Sequence, residues 1–127
     1  MLSRGEYKLK QLLDCLLPDE NYIDNFRPDW LCNPSTGANL ELDRYYPKLK
    51  IGIEFNGPQH RKQYNPYQWH KDHIKKHLCA KQQVIRLVFY ANELTLPQIY
   101  QKLQDVQQMR KAWANGQTWV KGSLYDI

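Results

Sequence analysis

Nothing in this chain is long and apolar enough to cross a bilayer. A spanning helix needs ~20 consecutive apolar residues, and no stretch of the 127 residues approaches that. The opening MLSRGEYKLK lacks the apolar core of a secretory signal. Cysteine is scarce: Cys15, Cys32 and Cys79 lie far apart, with no CxxC pair. So sparse and odd a set speaks against a disulfide framework and a structural zinc site, and for free thiols in a reducing compartment. Low-complexity segments, internal repeats and an interdomain linker are missing too. The chain reads as one domain, with a core spanning about residues 3–114.

What is present supports a folded core, since 42% of the residues are hydrophobic. The net charge of +5 is unevenly spread. Residues 1–54 hold nine acids and seven bases, and residues 55–127 hold four acids and eleven bases. Acids gather in the first half and bases follow. A basic surface beside an acidic cluster suits a polyanion met through a metal. A solvated basic helix is the plainer alternative.

Ser3-Arg4-Gly5-Glu6 has the form of a capping box, and leucines at helical spacing carry a helix to about Leu17. A short strand is expected near Pro28–Cys32. Asn33-Pro34-Ser35-Thr36-Gly37 reads as a turn. Two alternating strands, 40–46 and 50–56, flank Pro47-Lys48-Leu49 as a hairpin. Asn65-Pro66 opens a helix to about Gln82, whose expected buried stripe is Trp69, Ile74, Leu78 and Cys79. QVIRLVFY, 83–90, reads as a central strand, and a last helix runs from Thr95 to about Asn115. Strand, helix, strand over 50–90 suits a parallel crossover unit. The fold class is therefore α/β, a central mixed β-sheet with helices on both faces.

The hairpin carries the chemistry. Side chains alternate along a strand, so pairing brings Asp43, Glu54 and Asn56 to one face. Carboxylates among aliphatic residues are costly unless something positive meets them. Phosphodiester hydrolysis needs a positioned water and neutralised charge, which Mg²⁺ held by carboxylates supplies. Asp43 and Glu54 are the first candidate ligands, with the Phe55 carbonyl and Glu6 behind them. The same acids could instead form the solvent face of a hairpin, and Glu6 could simply serve the capping box.

Asp43 followed by Glu54-Phe55-Asn56 resembles the PD-(D/E)xK nuclease signature. Leu40-Glu41-Leu42-Asp43, Glu54-Phe55-Asn56-Gly57-Pro58-Gln59-His60 and Asp72-His73-Ile74-Lys75 together resemble the very short patch repair nucleases and the phage- and intron-encoded homing endonucleases. The likeness covers about residues 3–90. It implies a restriction-endonuclease-like fold and a Mg²⁺-dependent DNA endonuclease, with Mn²⁺ as a substitute metal. It further implies double-stranded DNA as partner, a homodimer or homotetramer for two-strand cutting, and the cytoplasm of a prokaryotic or phage-infected cell.

One position departs from the signature: Asn56 stands where the family has lysine. Lys75 on the following helix is the expected replacement for that charge, with Lys62, Lys71 and Lys76 as further cations toward DNA. Gln59 and His60 are placed to orient water or protonate the leaving oxygen. A DNA-binding module of the same fold without catalysis is the alternative, and an RNA-directed nuclease a third. His70, His73 and His77 share a helix face that could take zinc or, with His60 and Asn65, an HNH arrangement. The spacing is too short for the latter, and a face toward DNA phosphates fits better. Tyr45, Tyr46, Tyr64, Tyr67 and Trp69 could stack on bases but read mainly as core. Asp29 is taken as structural, paired with Arg27.

Overall fold

The computed structural model describes residues 3–56 and 66–114. Its elements follow in the order α1 (Arg4–Leu16), β1 (Ile23–Phe26), β2 (Leu42–Tyr46), β3 (Ile51–Asn56), α2 (Pro66–Lys81), β4 (Ile85–Tyr90) and α3 (Leu96–Ala114), with a 3-10 turn at Ala91–Glu93. Ser3 caps α1, its hydroxyl accepting the Glu6 N–H at 3.1 Å. The strands form one sheet in the order β1-β2-β3-β4. β1 and β2, and β2 and β3, run antiparallel. β3 and β4 run parallel, in register from Ile51↔Ile85 to Asn56↔Tyr90, as the crossover reading required. The chain is thus α/β with a mixed four-stranded sheet flanked by helices.

The core divides into two clusters. Ile51, Ile53, Leu87 and Phe89 join Leu9 and Leu13 of α1 and Ile99, Val106 and Met109 of α3 on one face. Leu42, Tyr45, Leu31, Leu40, Val84 and Cys79 of α2 form a second cluster. At roughly 25 cal/mol per Å² of buried apolar surface, these two clusters are the main source of stability. All three cysteines are free, and burial pushes the Cys79 thiol up to about 12.

Two expectations fail here. The strand expected near Pro28–Cys32 lies earlier, at Ile23–Phe26, where the Asp24 carboxylate meets the Arg44 guanidinium across the β1–β2 pair. Pro28 has no N–H for a ladder; its carbonyl instead closes a turn to Leu31 N, and only the single bridge Cys32↔Asn39 follows. Trp69, expected in the core, is 51% exposed on α2. Cys79 is buried and Ile74 and Leu78 pack beside it, so the inward face of α2 is set by those three.

Gly5 shows how α1 is seated. A Cβ there would lie 2.2 Å from Phe55 Cζ, so the first turn of α1 rests on the Phe55 ring. In an unpacked helix alanine outperforms glycine by up to ~1 kcal/mol. Here Gly5→Ala is expected to destabilise by about 1–3 kcal/mol through overpacking, read as a lower urea midpoint. A raised midpoint would show that Phe55 yields freely and does not position the helix.

Candidate active site

The β2–β3 ladder runs through Arg44↔Ile53. Beyond it, the Asp43 carboxylate accepts the Phe55 N–H at 2.8 Å, in place of a backbone carbonyl. Backbone geometry therefore fixes Asp43 beside Glu54. The side chains of Glu54 and Asn56 point away from Ile51 and Ile53, toward α2. They are only 6% and 7% exposed. The pattern that could have marked a solvent face is a buried polar face instead.

That face is built around Glu54. Its Oε1 takes the Lys75 ammonium at 2.7 Å. Its Oε2 is bonded by Nε of Arg86, which reaches in from β4, and Arg86 Nη2 bonds Asp72 Oδ1 of α2 at 3.1 Å. Glu54, Arg86 and Asp72 are all buried. Burial alone would raise the Glu54 pKa, but Arg86 and Lys75 outweigh it and hold the carboxyl below its ordinary value. Arg86 is a functional candidate that sequence reasoning missed. The signal was available: one arginine inside the apolar run QVIRLVFY demands a buried acid. Arg86 Nη1 is buried without a hydrogen-bond partner among the described residues.

Asp43 behaves in the opposite way. Burial pushes its carboxyl up to about 7, against the Phe55 N–H and the Lys75 charge, with the negative charges of Glu54 and Glu6 adding to the rise. Glu6, on the first turn of α1, belongs to the same electrostatic cluster. Its carboxylate stands 3.0 Å from the ammonium of buried Lys10, an ion pair rather than an aligned hydrogen bond. Lys10 also lies 3.5 Å from Asp24.

The remaining candidates divide cleanly. Lys71 and Lys76 are half-buried on α2, as is Lys75. His70, His73 and His77 are exposed on the same helix, with the His73 ring 3.9 Å from that of Trp69. Tyr45 and Tyr46 are core. Arg27 does not pair with Asp29: it binds Glu41 at 3.1 Å and the Asn39 carbonyl at 3.3 Å, while Asp29 accepts a 3.5 Å bond from Asn39. Gln59, His60, Lys62, Tyr64, Asn65 and the Tyr67 side chain lie outside the described residues.

In kind, this donor set fits a hard divalent cation: carboxylate oxygens of Asp43, Glu54 and Glu6, the first raised in pKa chiefly by burial, with its like-charged neighbours adding to the rise. A cation there would relieve that repulsion. In arrangement, Lys75 and Arg86 occupy both oxygens of Glu54. Among the described residues, no three His, Cys, Asp or Glu side chains stand together as a ready metal cage.

Two viral proteins are similar to this chain. Uncharacterized protein 033L of Invertebrate iridescent virus 3 is 30% identical over 116 residues, covering 82% of this chain and 59% of that protein. Uncharacterized protein 307L of Invertebrate iridescent virus 6 is 41% identical over 68 residues, covering 42% of this chain and 34% of that protein. The chain thus spans about three fifths of the first relative and about a third of the second. No family model matches it, and no solved structure does. No described helix is long and apolar enough to cross a membrane.

Proposed function

We propose that the chain is a metal-dependent DNA endonuclease of the restriction-endonuclease-like, PD-(D/E)xK type. One observation carries this reading. An ammonium from α2, Lys75, meets Glu54 directly beside Asp43. Two acids and a cation thus converge, although the lysine of the usual position is replaced by Asn56.

Asp43, Glu54 and Glu6 would hold Mg²⁺ or Mn²⁺, together with the Phe55 carbonyl, which leaves the strand on the same edge as the N–H bound by Asp43. A bound divalent cation lowers the pKa of a water and neutralises phosphate charge. The chain's own residues do the rest. Lys75 stabilises developing negative charge, and Asn56 offers a neutral hydrogen bond to water. Gln59 and His60 remain the residues expected to orient water and protonate the leaving oxygen. Lys62, Lys71 and Lys76 continue the basic track along double-stranded DNA. A homodimer or homotetramer would bring two such sites to two strands. The relatives' viral origin suggests the cytoplasm of an infected cell as the setting.

The test is cleavage of supercoiled plasmid with Mg²⁺ or Mn²⁺ by the wild type, Asp43→Asn and Glu54→Gln. Nicking or linearisation by the wild type alone is expected. A second reading, a DNA-binding module without catalysis, draws on the double engagement of Glu54 by Lys75 and Arg86. Binding without cleavage by all three proteins would favour it.

A further inference from the structure

Beside the carboxylate cluster lies a cleft of about 250 Å³ between α2 and the 27–41 segment. Arg27, Lys71 and Lys75 line it from two separate parts of the chain, with Thr36, Asn39 and Glu41 in the same wall. Three basic side chains and one carboxylate line it, with Arg27 paired to Glu41 and Lys75 to Glu54. The wall is built rather than loose. Buried Asn33 accepts the Ser35 N–H at 2.9 Å through its side chain, and its backbone carbonyl accepts the Gly37 N–H at 2.7 Å. Thr36 Oγ1 accepts the Ala38 N–H at 3.2 Å. Arg27 uses two of its five donors, on Glu41 and the Asn39 carbonyl. Basic side chains outnumber acidic ones in the cleft wall, and Arg27 keeps further donors, the character of a phosphate site.

Lys75 links this cleft to the site next to it. It lines the cleft, while its ammonium bonds Glu54. The two places are no further apart than one lysine side chain reaches, which is the scale of successive phosphates on a nucleic-acid strand.

We propose that this cleft seats a backbone phosphate of the DNA strand next to the one addressed by Asp43 and Glu54, with Arg27 and Lys71 as its main contacts. The inference rests on reading those carboxylates as a phosphodiester site. Arg27 thereby becomes a nucleic-acid contact outside the basic helix, and Glu41 its counterweight.

The experiment measures binding of a short fluorescein-labelled DNA duplex in EDTA by anisotropy, across a salt series. Removing a single phosphate-binding cation should lower the slope of log affinity against log salt by about 0.9. Arg27→Gln and Lys71→Gln should each do so, weakening all duplex sequences alike. Glu41→Gln should tighten binding, and Lys48→Gln, in the turn at the opposite end of the hairpin, should leave the slope unchanged. Wild-type slopes in both Arg27→Gln and Lys71→Gln overturn the proposal, as does a wild type that binds no duplex. Slopes lowered as expected, in a protein that cuts with neither Mg²⁺ nor Mn²⁺, uphold the cleft and remove the nuclease reading instead.

Discussion

Asp43→Asn should make the metal-free protein more stable at about pH 8 while ending DNA cleavage. The asparagine oxygen can still accept the Phe55 N–H, so the strand end is kept. What disappears is a carboxylate that burial, Glu54 and Glu6 all oppose. Its pKa is raised from 3.8 to about 7, so the fold favours the protonated form. Stability from this group is full below about pH 4 and is lost as pH rises through about 7. At about 1.4 kcal/mol per pH unit the difference approaches about 4 kcal/mol. Partial solvent exposure trims it to about 2–3 kcal/mol.

Urea denaturation in EDTA at several pH values reads the effect. The wild type should lose stability relative to Asp43→Asn between about pH 4 and pH 8. Added Mg²⁺ should return stability to the wild type at the upper end and leave the variant unmoved. Cleavage should fall on the order of 10³-fold, several kcal/mol of lost transition-state stabilisation. Parallel pH curves for the two proteins would refute the strained carboxylate. A Mg²⁺ response in the variant would refute Asp43 as a ligand.

Arg86→Met carries the largest expected cost to the fold. It leaves Glu54 with one cation and Asp72 without its guanidinium partner, both buried where α2 meets the sheet. Removing one member of a buried ion pair costs about 3–5 kcal/mol. The double variant Glu54→Gln with Arg86→Met should recover part of that loss, because the uncompensated charge at position 54 goes with it. Chemical denaturation of the four proteins in the cycle measures the coupling. A loss below about 1 kcal/mol in Arg86→Met would show that water reaches the network and that Glu54 needs no arginine.

Local signals carried much of this architecture. Period-two alternation marked β2 and β3, and an apolar run flanked by helical segments marked β4 and its parallel crossover. The resemblance singled out Lys75 as the replacement for a lysine at position 56; the structure sets its ammonium on Glu54. Most of the misses needed a partner distant in sequence. Arg86 reads as a stray charge until Glu54, 32 residues earlier, is seen beneath it. The place of β1 depends on Arg44 meeting Asp24. Trp69 looks like core by residue type, yet α2 buries the neighbouring face through Ile74 and Cys79. Glu6 fits a local capping pattern and pairs with Lys10 one turn on, while only the folded chain brings its charge near Asp43.

Lys75 has one ammonium and two neighbours that want it. Whatever draws that charge into the cleft exposes an oxygen of Glu54, and whatever takes that oxygen releases the charge to the cleft. A cation on the carboxylates and an anion in the cleft would then help each other bind, by the same factor in either direction. Lys75 would in that case act as a pivot, making readiness for the metal depend on the presence of the strand.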